Sequence, residues 1–169
     1  VGSTARWPSA FGTAPKGFTV SSWHRVNEVS DAAANSSFFW SCSSPLNSLN
    51  ELHLRFNPAT AVLTVGYGIN SPLVSVSSPP VAFVLGQWMH LTLVLQSCDN
   101  GVGTTNAQVY FNGFVALNFR IPGAIPTVER QCSTGGFTRA AHAAVQVWTR
   151  ELLAAEIVVR RKFKHSTLR

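Results

Sequence analysis

The amino-acid sequence predicts an all-β fold: two antiparallel sheets packed face to face, with one short C-terminal helix. Three observations carry this. Short runs of period-two alternation recur along the chain, turn residues punctuate them, and only one stretch has helical spacing. The longest run, Trp88 to Gln96, sets Met89, Leu91, Leu93 and Leu95 on one side and Trp88, His90, Thr92 and Val94 on the other. Both rows lean apolar, as expected of a central strand with one row in the inter-sheet core and the other partly covered.

The other elements follow in order. "GFTVSSWHRV" (17–26) is rich in β-branched and aromatic residues, and "SSFFWSCSS" (36–44) follows a polar, Ala-rich loop. "ELHLRF" (51–56) places Leu52, Leu54 and Phe56 on one face and Glu51, His53 and Arg55 on the other. "NPAT" (57–60) is a turn, and "AVLTVGY" (61–67) returns, so 51–67 reads as a hairpin. "AQVYF" and "FVALNF" flank Asn112-Gly113, whose two turn positions need positive φ. "AAVQVW" (143–148) is the last strand, and "ELLAAEIVVRRKF" (151–163) is the one helix, with Thr149 placed to cap it. No βαβ alternation or internal repeat is visible.

The 169 residues suffice for one domain, 46% of them apolar and 12% charged. The net charge of +6 is local. Residues 160–169 hold five of the thirteen basic side chains and no acid, which leaves eight basic against seven acidic residues elsewhere. A phosphate-tracking face is therefore not expected, and nucleic acid is not an expected partner. The basic stretch reads as a tail or linker suited to contact with an anionic surface. No run approaches the ~18 apolar residues of a membrane span, and no basic start precedes an apolar run as in a signal peptide. The three cysteines, Cys42, Cys98 and Cys132, lie far apart and offer no clustered zinc ligands. Asn35-Ser36-Ser37 is a glycosylation sequon, meaningful in a secreted chain.

The ordered set "GFTVSSWHRV", "LHLRFNPATAVLTVGY", "GQWMHLTLVL", "AQVYFNGFVALNF" and "VQVWTRELLAAEI" resembles the laminin-G-like domains of the concanavalin A-like lectin/glucanase superfamily. Phe18, Trp23, Trp88, His90, Tyr110, Asn112, Gly113, Trp148, Leu152, Glu156 and Ile157 match its motifs in order. The resemblance implies a jelly-roll sandwich over 17–159, with 1–16 as a lead segment packed on its edge near the helix and 160–169 as the tail. It implies a packed, hydrogen-bonded role for His90. Leu153 stands where the family has Ser, so the hydroxyl half of a capping box is lost. The family's calcium sites use loop Asp and Asn. This chain has only Asp31 and Asp99, so calcium is not expected.

Glycoside hydrolysis on such a sandwich needs two carboxylates ~5 Å apart, or ~6.5–9.5 Å apart for inversion. The nearest pattern, Glu51-Leu52-His53, supplies one carboxylate, and no Glu-x-Asp occurs. No nucleophile elbow occurs, and "GVGTT" (101–105) reads as a hairpin loop rather than a phosphate cradle. The expectation is a non-catalytic recognition or adhesion module of a larger multidomain, extracellular or cell-surface protein. Its expected partner is a glycan or an extracellular protein, with a structural spacer as the alternative and a divergent glycosidase behind it. Trp23, Trp40, His53, Arg55 and Trp148 are the candidate ligand-binding residues. In the domains it resembles, the segments of Cys42 and Cys132 run side by side. The resemblance thus implies a disulfide between them, with Cys98 as the competing partner.

Overall fold

Alternation becomes eleven strands among the described residues of this computed structural model, which are 3–7, 17–27, 38–43, 51–68, 74–98, 103–122, 130–134, 140–148 and 150–165. In chain order they are β1 (Ser3–Trp7), β2 (Gly17–Val26), β3 (Phe38–Ser43), β4 (Glu51–Asn57), β5 (Val62–Tyr67) and β6 (Val74–Ser77), then β7 (Trp88–Cys98), β8 (Thr104–Phe111), β9 (Phe114–Pro122), β10 (Arg130–Thr134) and β11 (Ala140–Trp148). One helix, α1 (Ala154–His165), follows. Every pairing is antiparallel. One sheet has the order β1-β10-β3-β4-β5-β6 and the other β11-β2-β7-β8-β9.

The turns obey local chemistry. Asn112 and Gly113 take φ of 51° and 83°, the pair that a tight hairpin needs. Asn57 accepts hydrogen bonds at Oδ1 from the N–H groups of Ala59 (3.0 Å) and Thr60 (3.3 Å), which closes the turn from β4 into β5.

β7 lies at the centre of its sheet and accounts for its own two-sided pattern. Met89, Leu91, Leu93 and Leu95 enter the inter-sheet core beside Val20, Leu54, Phe56 and Val109, each at most 2% exposed. Burial of such a side chain is worth about 1.5–3 kcal/mol. The outer row is covered differently along its length. His90 shares a 2.6 Å hydrogen bond with Ser21, and Thr92 donates to the same Ser21 hydroxyl at 3.2 Å. Val94 joins Tyr110, Leu152, Ile157 and Trp148 in a second apolar cluster. The segment entering α1 thus lies on the outer face of the five-stranded sheet. Thr19 pins it: its Oγ1 donates to the Arg150 carbonyl (2.9 Å) and accepts from the Leu152 N–H (3.0 Å).

Four expectations change. Ser3–Trp7 is an edge strand of the six-stranded sheet, whereas α1 covers the other sheet, so this part of the lead segment is an element in its own right and not packing beside the helix. β6 was not anticipated, because it has only four residues ahead of Pro79-Pro80. The helix begins at Ala154 rather than 151. Leu153, not Thr149, holds the cap position, and Glu156 Oε2 accepts its N–H at 2.9 Å. Half of the capping box survives the loss of the serine. Finally, α1 runs to His165, two residues past the expected end at 163 and into the stretch read as a tail.

Candidate functional site

On the outer face of the five-stranded sheet, beside the α1 entry segment, register builds a polar cleft. Gln96 of β7 pairs with Asn106 of β8, and Asn106 pairs with Arg120 of β9. One row along, Val94 pairs with Gln108 and Gln108 with Asn118. Because side chains alternate along a strand, these six project from the same face. They line a cleft of about 400 Å³ with Phe119 and with Glu151, which stands just before α1. The lining therefore holds four carboxamides, one guanidinium and one carboxylate. Each carboxamide offers a carbonyl acceptor and two N–H donors. Tyr110 donates its hydroxyl to Gln108 Oε1 at 3.0 Å, which leaves the amide N–H groups of Gln108 for the cleft. Burial, and then the nearby Glu151 carboxylate, raise the Tyr110 pKa above its ordinary 10.0, so the phenol keeps that proton.

None of Trp23, His53, Arg55 and Trp148 lines this cleft, and of these the structure brings His53 and Arg55 together on the other sheet. Trp23 is 3% exposed and its ring lies 4.9 Å from that of His90, so it has no open face for stacking on a ligand. Trp148 is half-buried in the cluster beneath α1. His53 and Arg55 lie on the outer face of the other sheet, where His53 is 3% exposed and Arg55 half-buried. Burial, and then the Arg55 charge, lower the His53 pKa to about 4, so its ring is neutral at pH 7. The backbone of Trp40 pairs with Leu54, and its side chain lies outside the described residues. Asn35, Asp31 and Asp99 also lie outside them. Cys42 is disulfide-bonded, and the residue opposite it in the β3–β10 ladder is Cys132.

His24 lies inside the sandwich, fully buried against Phe39 at 4.3 Å between ring centres. It shares hydrogen bonds with Ser22 (2.5 Å) and with Nδ1 of His142 (2.8 Å), a chain that satisfies its ring without a charge. Burial, and then the neighbouring His142 and His90, hold its pKa well below 6.5. Among the described residues no group of three or more His, Cys, Asp and Glu side chains is placed to hold a metal ion.

A family model described as the Concanavalin A-like lectin/glucanases superfamily matches residues 2–158. The chain belongs to that superfamily. The match starts ahead of β2 and takes in β1. No curated protein sequence matches. Among solved structures, the superfamily fold recurs in a heptameric SAP-like pentraxin from Limulus polyphemus, at 16% identity and TM-score 0.54 over 85% of this chain and 68% of that one. The botulinum neurotoxin serotype G binding domain shares 15% identity and TM-score 0.60 over 97% of this chain and 40% of that one. Sheep galectin-11, in complex with glycerol, shares 9% identity and TM-score 0.56 over 88% of this chain and 96% of that one. These likenesses establish the jelly-roll sandwich. The chain spans about two fifths of the toxin domain.

Proposed function

We propose that this laminin-G-like domain is a non-catalytic recognition module of a larger extracellular protein, and that it binds a neutral, hydroxyl-rich glycan in the cleft beside α1. One observation carries the reading: Gln96, Asn106, Gln108 and Asn118 present carboxamides from three adjacent strands in register, on one face. A carboxamide can donate and accept in one plane, which suits a hydroxyl or a vicinal diol. Arg120 and Glu151 balance in charge, so the cleft favours neither a polyanion nor a polycation. A single carboxylate in the cleft supports binding over glycosidic cleavage, which needs two. The proposed binding is independent of calcium, since the cleft has one carboxylate among amides. Galectin-11, which shares the fold, is in complex with glycerol, a small polyol.

The extracellular setting is supported by the superfamily and by the disulfide at Cys42, for which Cys132 is the proposed partner. A glycan array probed with the purified domain in EDTA tests the function. The expected result is a selective hit that Gln108→Ala abolishes while the melting temperature holds. A domain that binds no glycan at high concentration is a spacer instead.

A further inference from the structure

We propose that β9 accepts an extended peptide from a protein partner, docked antiparallel along its free edge and anchored by an apolar side chain at the β8–β9 turn. β9 ends the five-stranded sheet and is nine residues long. The other edge strands offer less: β6 has four residues and β1 five, and in β11 a register shift in mid-strand leaves Ala144, at φ 50°, and Val145 unpaired, whereas the shift in β9 lies before Leu117 and leaves Leu117–Pro122 in regular register.

The ladder shows which groups face outward. Asn112 N–H donates to the His90 carbonyl at 2.8 Å, so even-numbered residues of β8 turn their main-chain groups towards β7 and odd-numbered ones towards β9. Gln108 and Asn106 are even-numbered, and their β9 partners are Asn118 and Arg120. These two residues therefore turn N–H and C=O away from the sheet: four unpaired groups in the repeat of a strand, which only another extended backbone can pair together. Long edges are normally blunted by lysine, proline or brevity. Here the only proline of β9 is its last residue, Pro122.

Side-chain surroundings define the partner further. At the start of β9, Phe114 is 71% and Val115 54% exposed. Val115 borders a notch of about 430 Å³ shared with Pro79, Pro80, Val81 and Ala82. An irregularity where β8 passes from Val109 to Tyr110 leaves Ala116 unpaired and sets this notch off from the regular ladder. At the other end Arg120 is exposed and makes no ion pair with another described residue. An antiparallel peptide passes Arg120 first and reaches the notch roughly six residues later, about 20 Å on. The matching segment is acidic at its start, β-branched in its middle and aromatic or aliphatic at its end.

A fluorescein-labelled peptide, Asp-Thr-Val-Thr-Val-Thr-Phe, tests this by anisotropy against three forms of the domain. Proline is tolerated at an edge position whose N–H faces solvent, so Asn118→Pro is expected to keep the melting temperature and weaken binding about ten-fold or more. Asn118→Ala keeps the N–H and is expected to bind like the parent. A peptide N-methylated at its central residues is expected to lose binding to the parent domain, which preserves the test should Asn118→Pro unfold. No binding by the parent, or binding indifferent to both Asn118→Pro and N-methylation, overturns the proposal. So does a dimer in sedimentation that Asn118→Pro dissolves, which would make the occupant a second copy of this chain. Gln108→Ala separates this inference from glycan binding, because it removes an amide of the cleft and no group of the edge.

Discussion

The imidazole of His53 fills the space into which Gly66, its cross-strand partner on β5, would project a Cβ. Glycine stands there for steric room and not for turn geometry. Gly66→Ala must drive His53 off the sheet or part β4 from β5, and overpacking of this kind costs about 1–3 kcal/mol. The midpoint of urea unfolding is expected to fall at an unchanged slope. An unaltered midpoint would mean that the ring moves aside freely.

Buried neutral histidines make the fold acid-sensitive. Burial depresses the pKa of His24, His142 and His53, the last to about 4, while the unfolded rings titrate near 6.5. Below 6.5 the unfolded chain therefore binds more protons, so stability is complete above that pH and falls as pH drops towards 4. The His53 share reaches about 3 kcal/mol at the lower end. Unfolding free energy measured from pH 7.5 to 4.5 should decline steadily, and His53→Gln should flatten the curve. A flat profile in the parent protein would contradict these assignments.

Glu156 ties the start of α1 to the segment before it. Its carboxylate accepts the Leu153 N–H and pairs with both Arg150 guanidinium N–H groups, at 2.9 and 2.6 Å. The ion pair is exposed and screened, so the helix cap should dominate. Glu156→Ala is expected to cost about 1 kcal/mol, little altered by 1 M salt. Strong salt dependence would assign the effect to Arg150 instead.

The disulfide at Cys42 lies on β3, where the residue opposite it on β10 is Cys132. With Cys132 as partner it closes a loop of ~90 residues, worth roughly 4 kcal/mol in the chain-entropy account. Thiol titration of the unfolded, unreduced protein should find one free thiol, lost in Cys98→Ser. A free thiol that disappears in Cys132→Ser would assign the bond to Cys98.

Much of the architecture was legible because it is written in local chemistry. Asn112-Gly113 required positive φ, β2 kept its expected bounds, and the two apolar rows of β7 anticipated cover on both faces. The helix start was misplaced because Thr149 is a good cap by residue type, whereas Glu156 caps from inside the helix at Leu153. The cleft was not legible. Gln96, Asn106, Gln108, Asn118 and Arg120 are each an ordinary polar position in an alternating strand, and only the β7–β8–β9 register sets them side by side. Of the aromatic residues that drew attention, Trp23 is buried against His90 and Trp148 is half-buried against the cluster beneath α1.

Side-chain amide resonances of Gln96, Asn106, Gln108 and Asn118 report on the cleft without any mutation. Titration of the 15N-labelled domain in EDTA with the best glycan from an array should shift these four sets of N–H signals together and saturably. It should leave the His53 and Arg55 signals on the opposite sheet in place. Shifts confined to the His53 face, or none up to millimolar glycan, would contradict glycan recognition beside α1.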